Sequence, residues 1–220
     1  NDYLWVSVKS TIIKNDNEVP VKAVAVVTDV TSEKSRIQKL LVEAQTDLLT
    51  GIYNKITTET FVRNALRECN FPEDKPAMMV IDIDNFKAIN DNLGHMLGDA
   101  VLCEIASNLK GVFRKNDIIG RIGGDEFLVF INGKIDIPNI EEKAKEISKR
   151  FLKKFVNKGE SYNVSVSIGI ARCPCDGTTF EELYMHADNA LYFAKSQGKE
   201  CFAMFNESMR GMSQISDIKQ

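Results

Sequence analysis

No apolar run in these 220 residues approaches the roughly 18–20 needed for a helix to cross a membrane. No charged segment followed by an apolar core marks a signal peptide at the start. A basic excess is also missing. The 28 Lys and Arg are outnumbered by 31 Asp and Glu, and a net charge of −3 gives no global positive field for a nucleic-acid partner. There is no disulfide framework: the five cysteines, an odd number, are scattered at Cys69, Cys103, Cys173, Cys175 and Cys201. That usage points to a reducing, cytoplasmic setting. Cys173-Pro174-Cys175 has no second Cys/His pair at zinc-ligand spacing and reads as ordinary loop. Internal repeats and low-complexity tracts are absent too. What remains is 44% hydrophobic and 27% charged, a globular composition sufficient for one domain plus extra material. The chain begins at Asn1 rather than Met and reads as a piece of a longer protein, with room upstream for an input domain or a membrane anchor. The piece itself shows no membrane-contacting segment.

The most informative stretch is Arg121-Ile122-Gly123-Gly124-Asp125-Glu126-Phe127. It lies between two runs that read as strands, Asp117–Ile122 and Phe127–Ile131. A short Gly-Gly connection between apolar runs predicts a β-hairpin. Bare glycines let a bulky anion approach the backbone. Adjacent acids can hold the cation that such an anion brings, so the pairing points to a nucleotide-metal site.

Residues 1–31 read as strands, with Trp5–Val8 alternating, Val21–Val27 longer, and a polar turn at Lys14–Glu18. An isolated two-stranded unit is marginal, so this hairpin is expected to belong to a larger sheet. In residues 32–46, Ile37, Leu40, Leu41, Ala44 and then Leu48 fall at helical spacing. That helix either packs on its own domain or forms a short coiled coil joining sensor to output. From Asp47 the elements alternate. Helices are predicted over Thr57–Cys69, Gly98–Phe113, about 139–156 (with an Asn139…Glu142 capping box and Phe155 inward), and from Thr179…Glu182 to Ser196. Ala77–Ile83 reads as a buried central strand, Tyr162–Ala171 as a half-exposed one, and Cys201–Phe205 as a last short one. The order points to an α/β sandwich, with helices flanking a mostly antiparallel sheet.

Asp82-Ile83-Asp84 closes the central run. A carboxylate at the end of a buried strand is costly unless paired or bound to metal. Asp84 can be read as a cap for a short Phe86–Asn90 turn; Asp82, one residue deeper, cannot. If the hairpin pairs beside this strand, Asp125 and Glu126 come near Asp82. Such a carboxylate set suits Mg²⁺, and two such ions would make a two-metal phosphoryl-transfer site.

Here the motifs match a family. Asp82-Ile83-Asp84-Asn85-Phe86-Lys87, Asn90-Asp91, Gly94-His95, Gly98-Asp99 and Gly123–Phe127 together resemble a GGDEF-domain diguanylate cyclase. Asp47-Leu48-Leu49-Thr50-Gly51 and Ser167–Ala171 extend the likeness, which covers about Asp47 to Phe205. Val27–Thr31 resembles the end of a PAS sensor domain. The resemblance implies residues 1–31 as PAS-like strands, 32–46 as a signalling helix, 47–210 as a catalytic domain of the nucleotidyl cyclase or polymerase-palm type, and 211–220 as a tail.

The resemblance also implies roles. Asp82, the carbonyl of Ile83, Asp125 and Glu126 would hold two Mg²⁺ or Mn²⁺, with Asp125, Glu126 and Lys87 catalytic and Asp125 helping to deprotonate the ribose 3′-hydroxyl. Gly123 and Gly124 would lie against the triphosphate of GTP. The amides of Asn85, Phe86 and Lys87 would bind phosphate oxygens, and Lys87, Lys195 and Lys199 would neutralise them. Asn90 and Asp99 would read guanine. Arg114 and Asp117, an Arg-x-x-Asp, would bind the product cyclic di-GMP as an inhibitor. A homodimer would be needed, because one site cannot close both phosphodiester bonds.

Alternatives stay open at single residues. Lys195 can be a solvated helix face, and His95 reads as a structural loop residue. Thr50-Gly51 reads as a helix-to-loop turn, and Arg114 and Asp117 can simply end a helix and begin a strand. Lys55-Ile56 stands where the family often has Arg-Arg, and Lys199-Glu200 where it has Arg-Asn. Lys keeps the charge but loses the bidentate fork, which puts Lys199 in question as a phosphate contact. Ile122 replaces a frequent Tyr. A catalytically silent receptor for GTP or cyclic di-GMP, or a cyclase with relaxed base choice, are the competing functions.

Overall fold

The computed structural model describes residues 4–71, 73–157 and 160–212, excluding the side chains of 153–162. Residues 213–220 of the tail expected at 211–220, and the inward position of Phe155, lie outside the described residues and side chains. Two compact units divide at Ala44/Gln45.

The first unit holds a hairpin of β1 (Val6–Lys14) and β2 (Pro20–Asp29), followed by α1 (Thr31–Gln45). The strands pair antiparallel from Val6↔Asp29 to Lys14↔Pro20, with a register shift at Ile13/Lys14. Their β-branched alternation favours strand, yet every residue of both strands is exposed. No residue of α1 is buried.

The second unit is built on a five-stranded sheet, in the order β4-β5-β3-β8-β9. Its strands are β3 (Ala77–Ile83), β4 (Ile118–Arg121), β5 (Glu126–Ile131), β8 (Val166–Arg172) and β9 (Phe202–Met204). Three pairings are antiparallel and β8–β9 is parallel, as expected of a mostly antiparallel sheet. The helices are α2 (Lys55–Glu68), α3 (Phe86–Leu93), α4 (His95–Val112), α5 (Ile137–Phe151) and α6 (Phe180–Ser196). A separate pair, β6 (Lys153–Asn157) and β7 (Glu160–Val164), completes the unit.

Side chains alternate across the strands, which sorts β3 into two faces. Met79, Ile81 and Ile83 join Leu102, Ile105, Leu109 and Ile147 of α4 and α5 in one apolar layer. Met78 and Val80 face Val62 and Leu66 of α2 and Leu183, Ala187 and Leu191 of α6 in the other. All seven residues of β3 are buried, as its continuous apolar run requires.

Several boundaries differ from expectation, each for a local reason. α5 starts earlier because Asp136, not Asn139, is the cap: its carboxylate accepts the Asn139 N–H at 3.1 Å. It stops at Phe151, and the stretch expected to prolong it forms β6 instead. The strand expected over Tyr162–Ala171 is two strands broken at Ser165. β8 is buried rather than half-exposed, because α6 lies directly over it. A Cβ on Gly169 would fall 1.9 Å from the Ala187 carbonyl oxygen. His95 is not in a loop; it opens α4, and Gly94 alone separates α3 from α4 at φ +87°. Thr179 does form the expected capping box with Glu182.

Candidate active site

The register of the sheet assembles the acids. Asp82 lies directly opposite Glu126 on β5 and Ser167 on β8. The Ile83 N–H reaches the Asp125 carbonyl at 3.3 Å. By strand alternation Asp82 and Glu126 share the α6 face, and α6 answers with a cation: Lys195 Nζ is 2.8 Å from Asp82 Oδ1. Lys195 is therefore not a solvated helix face.

The charges around Asp82 are unbalanced. Burial first, then the neighbouring Asp125 and Glu126 carboxylates, push its carboxyl up to about 6, although Lys195 opposes them. Burial also raises Glu126, helped by Asp188 and Asp125 and opposed by Lys195 and Lys55. Asp188 is raised by burial and by Asp82, against Lys195. Burial, with Glu126 and Asp188, lifts the Tyr184 hydroxyl to about 12. A site in which several carboxyls resist ionisation has the electrostatic demand of a cation, and carboxylate oxygens are the hard donors that Mg²⁺ or Mn²⁺ takes. Among the described residues no three acid, histidine or cysteine side chains are yet drawn into a metal cage; Asp82 is turned to Lys195.

Asp84 has a different task from the one its position suggests. It does not cap α3. Asn85 holds that place at φ +56°, with no side-chain cap bond. The Asp84 carboxylate instead accepts Ser165 Oγ and Ser167 Oγ, each at 2.7 Å, and the Glu200 N–H at 3.1 Å. This ties the end of β3 to β8 and to the turn after α6. Lys199, at φ +66°, reaches Asn85 Oδ1 at 2.7 Å. A cavity of about 370 Å³ opens here, lined by Asp82, Asp84, Asn85, Tyr192, Lys195, Ser196 and Lys199.

The hairpin is looser than a two-residue turn. Ile122–Asp125 form the loop, and neither Gly123 nor Gly124 has positive φ. Only Gly123 needs glycine for space. A Cβ on Gly123 would lie 2.7 Å from Glu126 Oε2, whereas nothing stands within 4 Å of one on Gly124. Gly123 makes room for the Glu126 carboxylate, and Gly124 leaves bare backbone facing open space. Arg121 braces the loop: Nη2 donates to the Gly124 carbonyl at 2.6 Å and Nη1 to Asp47 Oδ1 at 3.2 Å. Asp47 also accepts Thr50 N–H and Oγ1 at 2.9 and 2.6 Å, so Asp47–Gly51 is a hydrogen-bonded turn with Gly51 at φ +63°.

Phe86 and Lys87 open α3, Lys87 exposed, and Asn90 lies on its last turns against α4. A Cβ on Gly98 would come 1.9 Å from Asn90 Oδ1; the missing side chain makes room for that amide. Asp99, the next residue, is exposed. Arg114 and Asp117 lie apart from these groups, on the α4–β4 connection. The buried Asp117 carboxylate accepts the Arg114 and Asn132 N–H groups at 2.8 and 3.1 Å. Both residues line two cavities, of about 400 and 280 Å³.

A family model described as the diguanylate cyclase GGDEF domain matches residues 44–201. The chain belongs to the GGDEF family. It is 34% identical over 83% of its length to a Pseudomonas aeruginosa protein named bifunctional diguanylate cyclase/cyclic di-GMP phosphodiesterase MucR, covering 27% of that protein. It is 32% identical over 83% of its length to Escherichia coli cyclic di-GMP phosphodiesterase PdeR, again covering 27%. The chain thus spans about a quarter of the length of these curated relatives. Among solved structures, the GGDEF domain of P. aeruginosa TpbB superposes with a TM-score of 0.69 at 33% identity, covering 74% of this chain and 96% of that one. The coiled coil and GGDEF domain of Caulobacter crescentus DgcB, solved in complex with c-di-GMP, gives 0.68 at 27% identity, covering 80% and 93%. No helix among the described residues of this GGDEF protein is long and apolar enough to cross a membrane.

Sequence reasoning missed Asp188 and Lys55 as contributors to the field at Glu126, Tyr184 as a hydroxyl that this field raises, and Arg121 as the brace of the hairpin. Asp188 had a signal: it stands seven residues before Lys195, on one face of a 3.6-residue helix.

Proposed function

We propose that the chain is a diguanylate cyclase domain that condenses two GTP into cyclic di-GMP and two pyrophosphates. The observation that carries this reading is the convergence of Asp82, Glu126 and Lys195 on one face, at the end of the sheet, beside an intact Gly123–Glu126 loop. Asp82, the Ile83 carbonyl, Asp125 and Glu126 would hold two Mg²⁺ or Mn²⁺. Such ions would neutralise the charge that develops on the phosphoryl oxygens. Gly124, Asn85, Phe86 and Lys87 present backbone to the triphosphate, with Lys87, Lys195 and Lys199 as its cations. Asn90 and Asp99 accept from guanine, whose donor pair adenine lacks. Asp125 takes the proton from a ribose 3′-hydroxyl; that oxygen bonds to the α-phosphorus of the other GTP, and the bond to pyrophosphate breaks. The same exchange in the opposite sense closes the ring, so two protomers must face each other. Most of the rate comes from positioning and charge.

Among the described residues the Arg114 guanidinium has no hydrogen-bond partner, while the Asp117 carboxylate accepts two backbone N–H groups and holds the connection in place. This supports feedback binding of cyclic di-GMP at that connection. Residues 1–31 as PAS-like strands and 32–46 as a signalling helix complete the reading.

A silent binding module is the second reading, favoured by the likeness to PdeR, whose name is that of a phosphodiesterase. Incubating the chain with GTP and Mg²⁺ over a range of protein concentrations separates them. Cyclic di-GMP formed at a rate per protomer that rises with concentration, and abolished by Asp125→Ala, is the expected result. Absence of product at every concentration would overturn the cyclase reading.

A further inference from the structure

At the end of the sheet opposite the acids lies a cavity of about 560 Å³, within the roughly 300–1,000 Å³ range of small-molecule sites. β3 starts there at Ala77, paired with Arg172 of β8. Asp82 is five residues further along, roughly 17 Å at strand rise. The cavity wall includes Ile135, Ile137, Pro138, Ile140 and Pro174. Ile137 is 45% exposed, on a surface that its own fold does not cover.

Two lysines stand at this apolar wall. A parallel bridge sets Lys75 beside Lys134, with the Lys75 N–H on the Gly133 carbonyl at 3.2 Å. Both side chains are exposed and line the cavity, and neither ammonium has a partner among the described residues. The bridge thus puts two positive charges at the rim of one apolar cavity, where a single anionic head can meet both. The nearby acids do not neutralise them. Asp136 accepts the Asn139 N–H at the start of α5, and Asp176 is held by Arg172 at 2.9 Å. Their negative charges also disfavour a dianionic head, and the Arg172 fork is occupied.

We propose that this cavity binds a medium-chain fatty carboxylate, its chain against the isoleucines and its single negative charge between Lys75 and Lys134. The lysine pair supplies charge and the wall supplies burial; neither depends on the reading of the acidic site.

The test uses the 220-residue chain with sodium decanoate below its micelle concentration, and decanol as the uncharged probe. Saturable binding is expected by calorimetry, with NMR shifts confined to the methyls of Ile135, Ile137 and Ile140. Decanol and the Lys75→Gln/Lys134→Gln variant should each weaken binding about tenfold, the worth of one charge-assisted contact. Lys115→Gln, on the α4–β4 connection and outside this cavity, should change nothing. Equal affinity for decanol, or decanoate shifts spread over other methyls of the unaltered chain, would overturn the proposal. The shift map requires no variant to fold.

Discussion

Lys195 Nζ and Asp82 Oδ1 form an ion pair at 2.8 Å, and Asp82 nonetheless titrates near 6 rather than below its usual value. Desolvation and two neighbouring carboxylates outweigh the lysine. The pair is therefore a held position rather than a source of stability.

The pH dependence follows from that sign. A carboxyl raised on folding contributes stability below its unfolded pKa, near 3.8, and that contribution is lost as pH rises through about 6. In EDTA, Asp82→Asn should match the unaltered protein at pH 4 and exceed it by about 2 kcal/mol above pH 7. Urea unfolding at the two pH values measures this. Saturating Mg²⁺ should then stabilise the unaltered protein and leave the variant where it was.

Asp84 carries a structural load. Asp84→Ala removes the acceptor of two serine hydroxyls and one backbone N–H, leaving buried donors unsatisfied at about 1–3 kcal/mol each in the worst case. A loss of about 3 kcal/mol in a denaturant melt is expected, whereas Asp84→Asn should recover part of it.

Gly98→Ala should separate recognition from folding. The added methyl meets the tip of the Asn90 amide, a group free to swing away. A helical Gly→Ala change gains up to about 1 kcal/mol, which offsets the crowding, so Tm should move little. If Asn90 reads guanine, the KM for GTP should rise severalfold, with a smaller effect on kcat; unchanged KM would remove Asn90 from the base site.

Gly169→Ala is the opposite case. Its methyl would strike the Ala187 carbonyl and the Leu191 backbone, at 1.9 and 2.3 Å. A helix backbone cannot swing aside, so a cost of about 3 kcal/mol or more is expected, along with displacement of α6 and of the lysine it carries. Thermal unfolding and GTP turnover should both report it.

Much of this was legible in the chain itself. Ala77–Ile83 read correctly because an unbroken apolar run has one economical use, and Thr179…Glu182 because a capping box is local. The Arg121 brace was not legible, since it joins residues 74 apart in sequence. Nor was the burial of β8: alternating Ser165, Ser167 and Gly169 resemble a wet face, and only tertiary contact shows two serines turned to a buried acid and a glycine pressed under a helix. Asp136 displaced Asn139 as a cap because both are good caps, and the position of Pro138 did not decide between them.

The two-residue period of β3 carries one more consequence. Asp82 faces Lys195, and Ile81 and Ile83 face the α4–α5 layer, only because the sheet is in its native register. Slipping β3 by one residue would send an acid into that oily layer and an isoleucine toward the lysine. A mis-registered copy would thus be both unstable and chemically blank, and the sheet acts as its own proofreader.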